Sequence, residues 1–478
     1  MQKKFVTNLA LLVFLNLLIK PFWIFGIDRE VQNLVGAEVY GKYYALLNFS
    51  FLLNILLDLG ITNFNNRNIS QHRHLVAKHF SGIVVLRFML AGGYIVFSMV
   101  AGWFIGYAGN DLHLLILLLA NQFLISFILY MRSNLTGLHL FVRDSIISVT
   151  DRFLMIIICG YLLWGHNYSF KIEWFIYAQT IAYLITALLA LIFMRGKFKF
   201  EKLTWRPAFY VTILKKSFPF ALLILLMTFY SRIDSIMLER LLPDGALQSG
   251  IYAQAYRILD AVNMFAFLFA TLLLPMFSHM IKRNEPLDDL LKLSFSLIAV
   301  PAIILVMTAQ FFQTQIMTLL YHEHANYSAP VFGVLMIGFF SMATTYIFGT
   351  LLTANGSMRE LNMMAAAGML LNVTLNLIFI PVYKAYGASL AGFLTQTITA
   401  IIQVYISVKI FKLKFDFGLL LRLLLFVGLT FLAGKLISSN VNDWIKAFAL
   451  FLFSGLFMAF ALKLINIKKL VAIVKSKE

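Results

Sequence analysis

Apolar runs long enough to cross a membrane dominate this sequence. A bilayer-spanning helix needs about 20 mainly apolar residues, and fourteen stretches of the 478-residue chain meet that length. Hydrophobic residues make up 61% of the chain and charged residues 13%, whereas soluble domains average about 45–50% and about 25%. We therefore predict an all-α polytopic membrane protein. In chain order, the predicted spans are Val6–Ile27, Tyr43–Ile61, Phe80–Ile105, Leu112–Met131, Ser145–Trp164, Trp174–Met194, Ser217–Leu238, Gly250–Met276, Leu290–Phe311, Pro330–Leu352, Leu361–Ile380, Gly387–Ile410, Gly418–Leu436 and Trp444–Leu464.

The distribution of basic residues predicts the orientation of the spans. We take the N-terminus as cytoplasmic, let the spans alternate in direction, and count a residue within three positions of a span end with the adjoining segment. The inside segments then hold 26 of the 39 Lys and Arg. The outside segments then hold 7 and the spans 6. Cytoplasmic loops carry such an excess of Lys and Arg. We therefore expect a protein of the cell's inner membrane with both termini in the cytoplasm. The net charge of +18 then reflects topology and contact with anionic lipid headgroups, and nucleic acid is not an expected partner.

A basic segment near the middle of the chain divides the spans into two sets of six. The predicted organisation is a first six-helix bundle at 1–196, a basic cytoplasmic linker at 197–216, a second bundle at 217–412 and two additional helices with a basic tail at 413–478. Short echoes relate the bundles, such as Gly41-Lys42-Tyr43 and Gly250-Ile251-Tyr252. Six spans in each half give both halves the same direction, so the echoes predict a parallel pseudo-repeat.

Ionisable side chains inside the predicted spans are the candidate functional residues. A charge in hydrocarbon costs several kcal/mol by most scales, so it persists where it is paired, hydrated or facing a cavity. The hairpin of spans 7 and 8 holds four such residues within a single pair of helices. The cationic candidates are Lys20, Arg87, Arg152, Arg232 and Arg257, and the acidic candidates for charge pairing or ion coupling are Asp151, Asp234 and Asp260.

Two of these cations are expected deep in the membrane. Lys20 and Arg232 each follow a cytoplasmic lysine by sixteen residues, or about 24 Å of helix at 1.5 Å per residue. In a hydrocarbon core about 30 Å thick, that distance places them beyond the midplane. Arg257 and Asp260 lie three residues apart on one helix face, so a local pair and a ligand site are both open. The polar candidates Asn372, Asn376 and Gln396 could contact sugar or serve as glue between helices.

Residues of spans 7 and 11 carry a resemblance to a known transporter family. Span 7 and its exit read Ser217, Pro219, Arg232-Ile233-Asp234, Gly250-Ile251-Tyr252-Ala253 and Tyr256-Arg257-Ile258, and span 11 and its exit read Asn372, Asn376, Ile380-Pro381 and Gly387-Ala388. With fourteen spans and a positive central loop, these runs resemble the multidrug/oligosaccharidyl-lipid/polysaccharide exporter superfamily, in particular its polysaccharide (O-antigen type) flippases.

The resemblance implies two six-helix bundles around a cavity that opens alternately to each side. It also implies a cargo, an undecaprenyl-diphosphate-linked sugar repeat unit moved from the cytoplasmic to the outer leaflet for O-antigen, capsule or exopolysaccharide synthesis. A polysaccharide polymerase and glycosyltransferases of the same pathway would then be partners. The residue chemistry fits, because arginine can bind a diphosphate with two parallel hydrogen bonds and the intramembrane cations outnumber the acids.

Other functions remain open at this stage. A cation-coupled multidrug antiporter of the same superfamily would need acids in its cavity, and such proteins usually have twelve spans. A membrane polymerase or ligase generally has a large outside loop, whereas here Phe311–Ser328 supplies His322-Glu323-His324 without the spacing of an H-E-x-x-H metal site. There is no P-loop and no Rossmann fingerprint, so we expect a transporter that is not an enzyme and uses no cofactor or metal. The one cysteine, Cys159, excludes an intrachain disulfide.

Overall fold

In the computed structural model the described residues are 15–16, 18–62, 75–138, 140–165, 170–195, 207–413 and 416–465, and they contain helices and no strand. Eleven of these helices are long and apolar enough to cross a membrane. The prediction of an all-α polytopic membrane protein is therefore confirmed. The thirteen α-helices are α1 (Arg29–Val35), α2 (Ala37–Leu52), α3 (Leu75–Ile105), α4 (Asn110–Gly137), α5 (Phe141–Trp164), α6 (Ile172–Met194), α7 (Pro207–Leu241), α8 (Gly245–Lys282), α9 (Asp288–Leu320), α10 (Ala325–Asn355), α11 (Met358–Phe411), α12 (Phe417–Asn440) and α13 (Trp444–Ala461).

The longest helix contains two predicted spans. Helix α11 has 54 residues and changes direction at Lys384, whose φ of 52° and ψ of −131° are not helical. Pro381 lies three residues earlier, where it removes a backbone donor from the helix. The bend lies between predicted spans 11 and 12, which accordingly share one continuous element in the structure.

The first two predicted spans are built less regularly than the others. Of the first span, the structure describes residues 15–16 and those from Leu18 onward. This part contains a π-helical stretch, Trp23–Asp28, which begins two residues after Pro21. The second is α2, which has 16 residues and continues as a 3₁₀ turn, Asn54–Leu57. Single π turns inside membrane helices often mark functional positions, and this one carries Trp23 and Asp28 to buried positions.

The described helices group into two compact units, 1–253 and 254–478. The first contains α1 to α7 and the beginning of α8, and the second contains the rest of α8 through α13. The unit boundary thus falls inside α8, later than the predicted linker at 197–216. The division into two six-helix bundles related by a pseudo-repeat stays a prediction.

Two glycines allow α2 and α8 to touch backbone to backbone in the first unit. A Cβ added to Gly41 would overlap the carbonyl oxygen of Ala246, and one added to Gly250 would overlap the carbonyl oxygen of Ala37. The hydroxyl of Ser249 donates to the carbonyl of Gly41 at 3.0 Å, and the amide of Gln32 donates to the carbonyl of Gly250 at 3.1 Å. Gly41 and Gly250, the first residues of the two similar Gly-x-Tyr sequences, therefore lie at one helix crossing.

The two C-terminal helices pack on α9 of the second unit. Val300, Ile303 and Ile304 of α9 form one buried cluster with Leu423 and Phe426 of α12. Each of the two helices begins with an aspartate cap, because Asp416 accepts the Leu419 N–H at 2.9 Å and Asp443 accepts the Ile445 N–H at 2.9 Å. The Leu419 N–H and the nearby Lys292 ammonium hold the pKa of Asp416 below its ordinary value. The pair is thus anchored to the unit, while many of its large apolar side chains remain exposed.

Candidate substrate-binding site

Lys20 lies near three other charged side chains in the first unit, and we call the group the Lys20 cluster. The charges that act most strongly on its ammonium are those of Arg152, Asp151 and Arg132. The Lys20 side chain is half-buried, and it makes no ion pair or hydrogen bond with another residue in the described part of the chain. The structure therefore brings together three predicted candidates, Lys20, Asp151 and Arg152.

Arg152 is held by aromatic side chains from two neighbouring elements. Its guanidinium carbon lies 5.5 Å from the ring centre of Trp23 and 5.9 Å from that of Tyr183, and Nη1 donates to the Tyr183 hydroxyl at 3.0 Å. Nε of Arg152 lies 3.9 Å from the Asp151 carboxylate, a loose pair between adjacent residues. A guanidinium over ring faces keeps its in-plane N–H groups directed sideways, the geometry in which arginine binds phosphate oxygens.

Arg132 and Asp144 add an ion pair that sequence reasoning missed. Nε of Arg132 donates to Oδ1 of Asp144 at 2.7 Å, and Nη2 donates to Oδ2 at 3.3 Å. The predicted fourth span ends at Met131, so both residues were placed in a polar loop. In the structure α4 continues to Gly137, and the following turn brings α5 back beside it. The sequence signal that could have indicated this ion pair is the presence of two opposite charges, Arg132 and Asp144, on either side of Gly137.

Asp28 was also missed, because the first predicted span ends one residue before it. The π-helical stretch carries it to a position that is 2% exposed. Its carboxylate accepts a hydrogen bond from the Tyr40 hydroxyl at 2.9 Å. The acid is therefore inside the first unit.

Arg87 is enclosed in a network of its own. The residue is 1% exposed and its Nη2 contacts the Asp58 carboxylate and the Thr62 hydroxyl. Nη1 donates to the Ser126 hydroxyl at 3.0 Å, and the guanidinium lies 4.5 Å from the ring centre of Tyr130. This arrangement leaves no surface for a ligand and fits a structural role for Arg87 in holding α3 against α4.

Arg232 and Asp234 occupy different surroundings on α7. The guanidinium of Arg232 lies 5.7 Å from the ring centre of Phe51. Asp234 is 2% exposed, and its carboxylate accepts a hydrogen bond from the Tyr252 hydroxyl at 2.8 Å. The charges that act most strongly on Lys20 belong to α4 and α5 rather than to Arg232.

The candidates of the second unit form local pairs along their own helices. Arg257 Nη1 lies 3.8 Å from the Asp260 carboxylate, with both side chains about four-fifths buried. Asn376 donates to Asn372 at 3.1 Å, and both side chains are fully buried. Gln396 is half-buried, and its backbone carbonyl accepts from Thr399. The described residues contain no group of three or more His, Cys, Asp or Glu side chains suited to a metal ion.

Another charged group lies where the chain leaves α3 and α7, in the first unit. The guanidinium of Arg240 stacks 3.7 Å from the ring centre of Tyr107, and its Nε lies 2.6 Å from the Glu239 carboxylate. Nearby, Lys42 pairs with Asp111 at 2.8 Å. Burial raises the pKa of the Tyr107 hydroxyl. Each charged side chain named here is paired with an opposite charge. The group therefore fits a structural role better than a ligand site.

Comparison with solved structures identifies transporters with the same fold. The lipid II flippase MurJ in an inward closed conformation aligns with a TM-score of 0.73 and 16% identity, covering 97% of this chain and 99% of that chain. An inward-facing multidrug resistance MATE family transporter of the MOP superfamily aligns with a TM-score of 0.66 and 13% identity, covering 81% and 94%. A MOP superfamily transporter from Pyrococcus furiosus aligns with a TM-score of 0.59 and 14% identity, covering 85% and 94%.

Sequence comparisons give the family. A search of curated protein sequences finds no match. The family model described as polysaccharide biosynthesis protein matches residues 30–281. This range is more than half of the chain and includes all of α2 to α7 and nearly all of α1 and α8. By that match the chain belongs to the polysaccharide biosynthesis protein family.

Proposed function

We propose that this protein is a flippase for undecaprenyl-diphosphate-linked sugar repeat units. It moves them from the cytoplasmic to the outer leaflet by alternating access, for synthesis of a surface polysaccharide such as O-antigen, capsule or exopolysaccharide. It acts in the inner membrane with both termini in the cytoplasm. Its pathway partners are the glycosyltransferases that supply the cargo and the polymerase that consumes it. Family membership and the fold shared with a lipid II flippase support a lipid-linked cargo.

The Lys20 cluster is the observation that carries this proposal. Lys20, Arg132 and Arg152 bring three positive charges into one group with the carboxylates of Asp144 and Asp151. Ionisable side chains inside membrane helices commonly mark a substrate path. A diphosphate would find there Lys20 as a point charge and Arg152 as a two-pronged donor.

The remaining candidates take supporting roles in this mechanism. Asp151, Asp234 and Asp260 are candidates for charge pairing or for binding a coupling ion, because each is an acid within a membrane helix. Arg232 and Arg257 are further candidates for the phosphate path. Asn372, Asn376 and Gln396 would contact sugar hydroxyls or hold helices together. The exposed apolar faces of α12 and α13 would contact the polyprenyl chain.

The test is a vesicle assay with a labelled cargo. Purified variants are reconstituted into liposomes containing a fluorescent undecaprenyl-diphosphate-linked sugar, and flipping is followed by quenching of the label in the outer leaflet. Lys20→Ala should slow flipping by about tenfold or more, as expected for removing a charged hydrogen bond worth about 1.5–3 kcal/mol. Lys20→Arg should retain part of the rate. An unchanged rate in Lys20→Ala at equal protein content contradicts the proposal.

A matched control and a rival cargo sharpen this test. Arg143 is exposed, and its guanidinium donates to the Phe193 carbonyl at 2.7 Å, so Arg143→Ala should leave flipping unchanged. The same vesicles are loaded with ethidium to test for multidrug antiport. Ethidium transport that depends on Asp151 or Asp234, without flipping of the lipid-linked sugar, would favour the antiporter.

A further inference from the structure

A cleft with a mixed apolar and polar lining lies in the second unit between α9 and α10. Its volume is about 490 Å³, within the range of about 300–1,000 Å³ typical of small-ligand pockets. We call it the tyrosine–histidine cleft. The residues that line it come from one short stretch of chain: Thr318, Tyr321, His322, His324, Ala325, Asn326 and Tyr327. The cleft thus includes both histidines of the triplet that the flippase function leaves unused.

Hydrogen bonds hold the floor of the cleft in place. The buried Tyr321 hydroxyl donates to the carbonyl of Gln254 at 3.1 Å, and the Gln254 amide donates back to the carbonyl of Glu323 at 3.0 Å. His324 adopts a left-handed conformation, with φ of 55° and ψ of 15°, immediately before α10. Its carbonyl accepts the Ser328 N–H at 3.0 Å. The cleft is therefore built by a fixed turn, which reduces the cost of ordering it around a ligand.

The rim of the cleft combines an aromatic face with hydrogen-bonding groups. Tyr327 is 72% exposed, and its ring centre lies 6.3 Å from that of His324. Asn326 offers an exposed amide. The Thr318 hydroxyl donates to the Thr314 carbonyl at 2.8 Å, which leaves its oxygen able to accept. This combination matches a pyranose ring, which has an apolar C–H face and a rim of hydroxyls.

The lining residues argue against two other ligand classes. Among the residues that the structure describes, no lysine or arginine lines the cleft, so a diphosphate or another strong anion would find no permanent countercharge from them. No group of three metal-ligating side chains occurs among the described residues, and two imidazoles alone fall short of a zinc site. A neutral polyhydroxylated ligand fits this lining, because it needs an aromatic face and hydrogen-bonding groups rather than a fixed countercharge.

We propose that the tyrosine–histidine cleft binds a sugar ring of the glycan carried by the lipid-linked cargo. Tyr327 is the stacking platform, and Asn326 and Thr318 bind the hydroxyls. This inference rests on the proposed function and adds a glycan subsite to it, apart from the Lys20 cluster that binds diphosphate. Since the predicted topology places the turn outside, the subsite contacts the glycan at the outer face of the membrane.

Saturation-transfer NMR on the full-length protein in lipid nanodiscs tests the subsite. The probes are soluble tetrasaccharides of glucose, galactose or N-acetylglucosamine, without lipid or phosphate. At least one should receive saturation from the protein, and Tyr327→Ala should reduce the transfer by about fivefold or more, as expected for losing one stacked ring. Tyr405→Ala removes a tyrosine of similar exposure, 65%, elsewhere in the unit and should change nothing.

Three results would overturn the assignment. The first is no transfer above that of empty nanodiscs for any of the three sugars. The second is full transfer in Tyr327→Ala. The third is displacement of the sugar by inorganic diphosphate, which would locate it at a cationic site. Because lipid-free sugars need no transport in order to bind, none of these results bears on the vesicle assay, and a failure of flipping leaves this measurement unaffected.

Discussion

The crossing of α2 and α8 makes a sharp prediction about Gly41 and Gly250. A Cβ on Gly250 would lie 2.6 Å from the carbonyl carbon of Ala37, whereas ordinary van der Waals contact begins at 3.4 Å. The backbones must therefore separate by about 0.8 Å at that atom, and by more at the carbonyl oxygen. Because the obstacle is backbone, a change of rotamer cannot relieve it. Gly41→Ala meets the same obstacle from the other side, since its Cβ would lie 2.8 Å from the Cα of Gly250.

The energetic cost follows from the contacts that such a separation breaks. Overpacking a tight contact costs about 1–3 kcal/mol. The hydrogen bonds from Ser249 and Gln32 to the two glycine carbonyls are worth about 1 kcal/mol each. We expect each single variant to lose about 3–5 kcal/mol of stability. At about 2 °C per kcal/mol for a unit of this size, Tm falls by about 6–10 °C.

The chain contains its own reporter of unfolding for this measurement. Cys159 is the one cysteine and is fully buried, so a fluorogenic maleimide reacts as the first unit unfolds. Gly93→Ala is the matched control, because a Cβ there meets nothing within 4 Å. It should leave Tm unchanged or raise it slightly, since alanine favours helix by about 1 kcal/mol over glycine. The double variant should lose less than the sum, because both changes break one contact.

The reasoning fails if Gly41→Ala and Gly250→Ala unfold at the same temperature as Gly93→Ala. That result would mean that the two helices are not in backbone contact in the detergent-solubilised protein. A loss in one variant only would mean that the helices can slide past one glycine and that the crossing does not depend on both.

Three further predictions address the enclosed arginine, the C-terminal pair and the topology. Arg87→Ala should lower protein abundance because it strips the Asp58 carboxylate of its cation, and adding Asp58→Asn should restore abundance on immunoblots; no recovery would mean that another contact of Arg87 is the important one. A chain ending at Leu413 should still insert but lose flipping in the vesicle assay, whereas full activity would show the last two helices to be dispensable. In intact cells an impermeant thiol reagent should label Asn440→Cys and not Glu285→Cys, and the reverse pattern would invert the topology.

The helices were predictable because length and apolarity alone decide what crosses a bilayer. The last predicted span, Trp444–Leu464, corresponds to α13 at Trp444–Ala461, and the third, Phe80–Ile105, ends with α3 at Ile105. The π-helical stretch after Pro21 was not predicted beyond a kink. A proline indicates that a helix is disturbed, whereas the form of the disturbance depends on what packs around it.

The partners of the intramembrane charges were less predictable than the helices. Sequence reasoning placed Arg132 and Asp144 in a loop, because an apolar-run criterion ends a span where polar residues begin. The helix in fact continues past Met131 to Gly137. One hydrogen-bond partner of Asp234 is Tyr252 on the next helix, a neutral donor that a search for opposite charges overlooks. Pairing depends on how helices rotate against each other, and a single sequence does not give that rotation.

The surroundings of the intramembrane cations give a physical order for their readiness to bind an anion. A cation already desolvated and matched by a carboxylate gains little from a second anion, because binding would break the first pair. Arg87 is enclosed against Asp58, and Arg132 is bound to both oxygens of Asp144. Arg152 lies over aromatic rings, and its contact with the Asp151 carboxylate is long, at 3.9 Å. Lys20 lies beside Arg152 on half-buried surface. Under the proposed function, an arriving diphosphate would relieve the repulsion between Lys20 and Arg152, which makes these two residues the first choice for mutation.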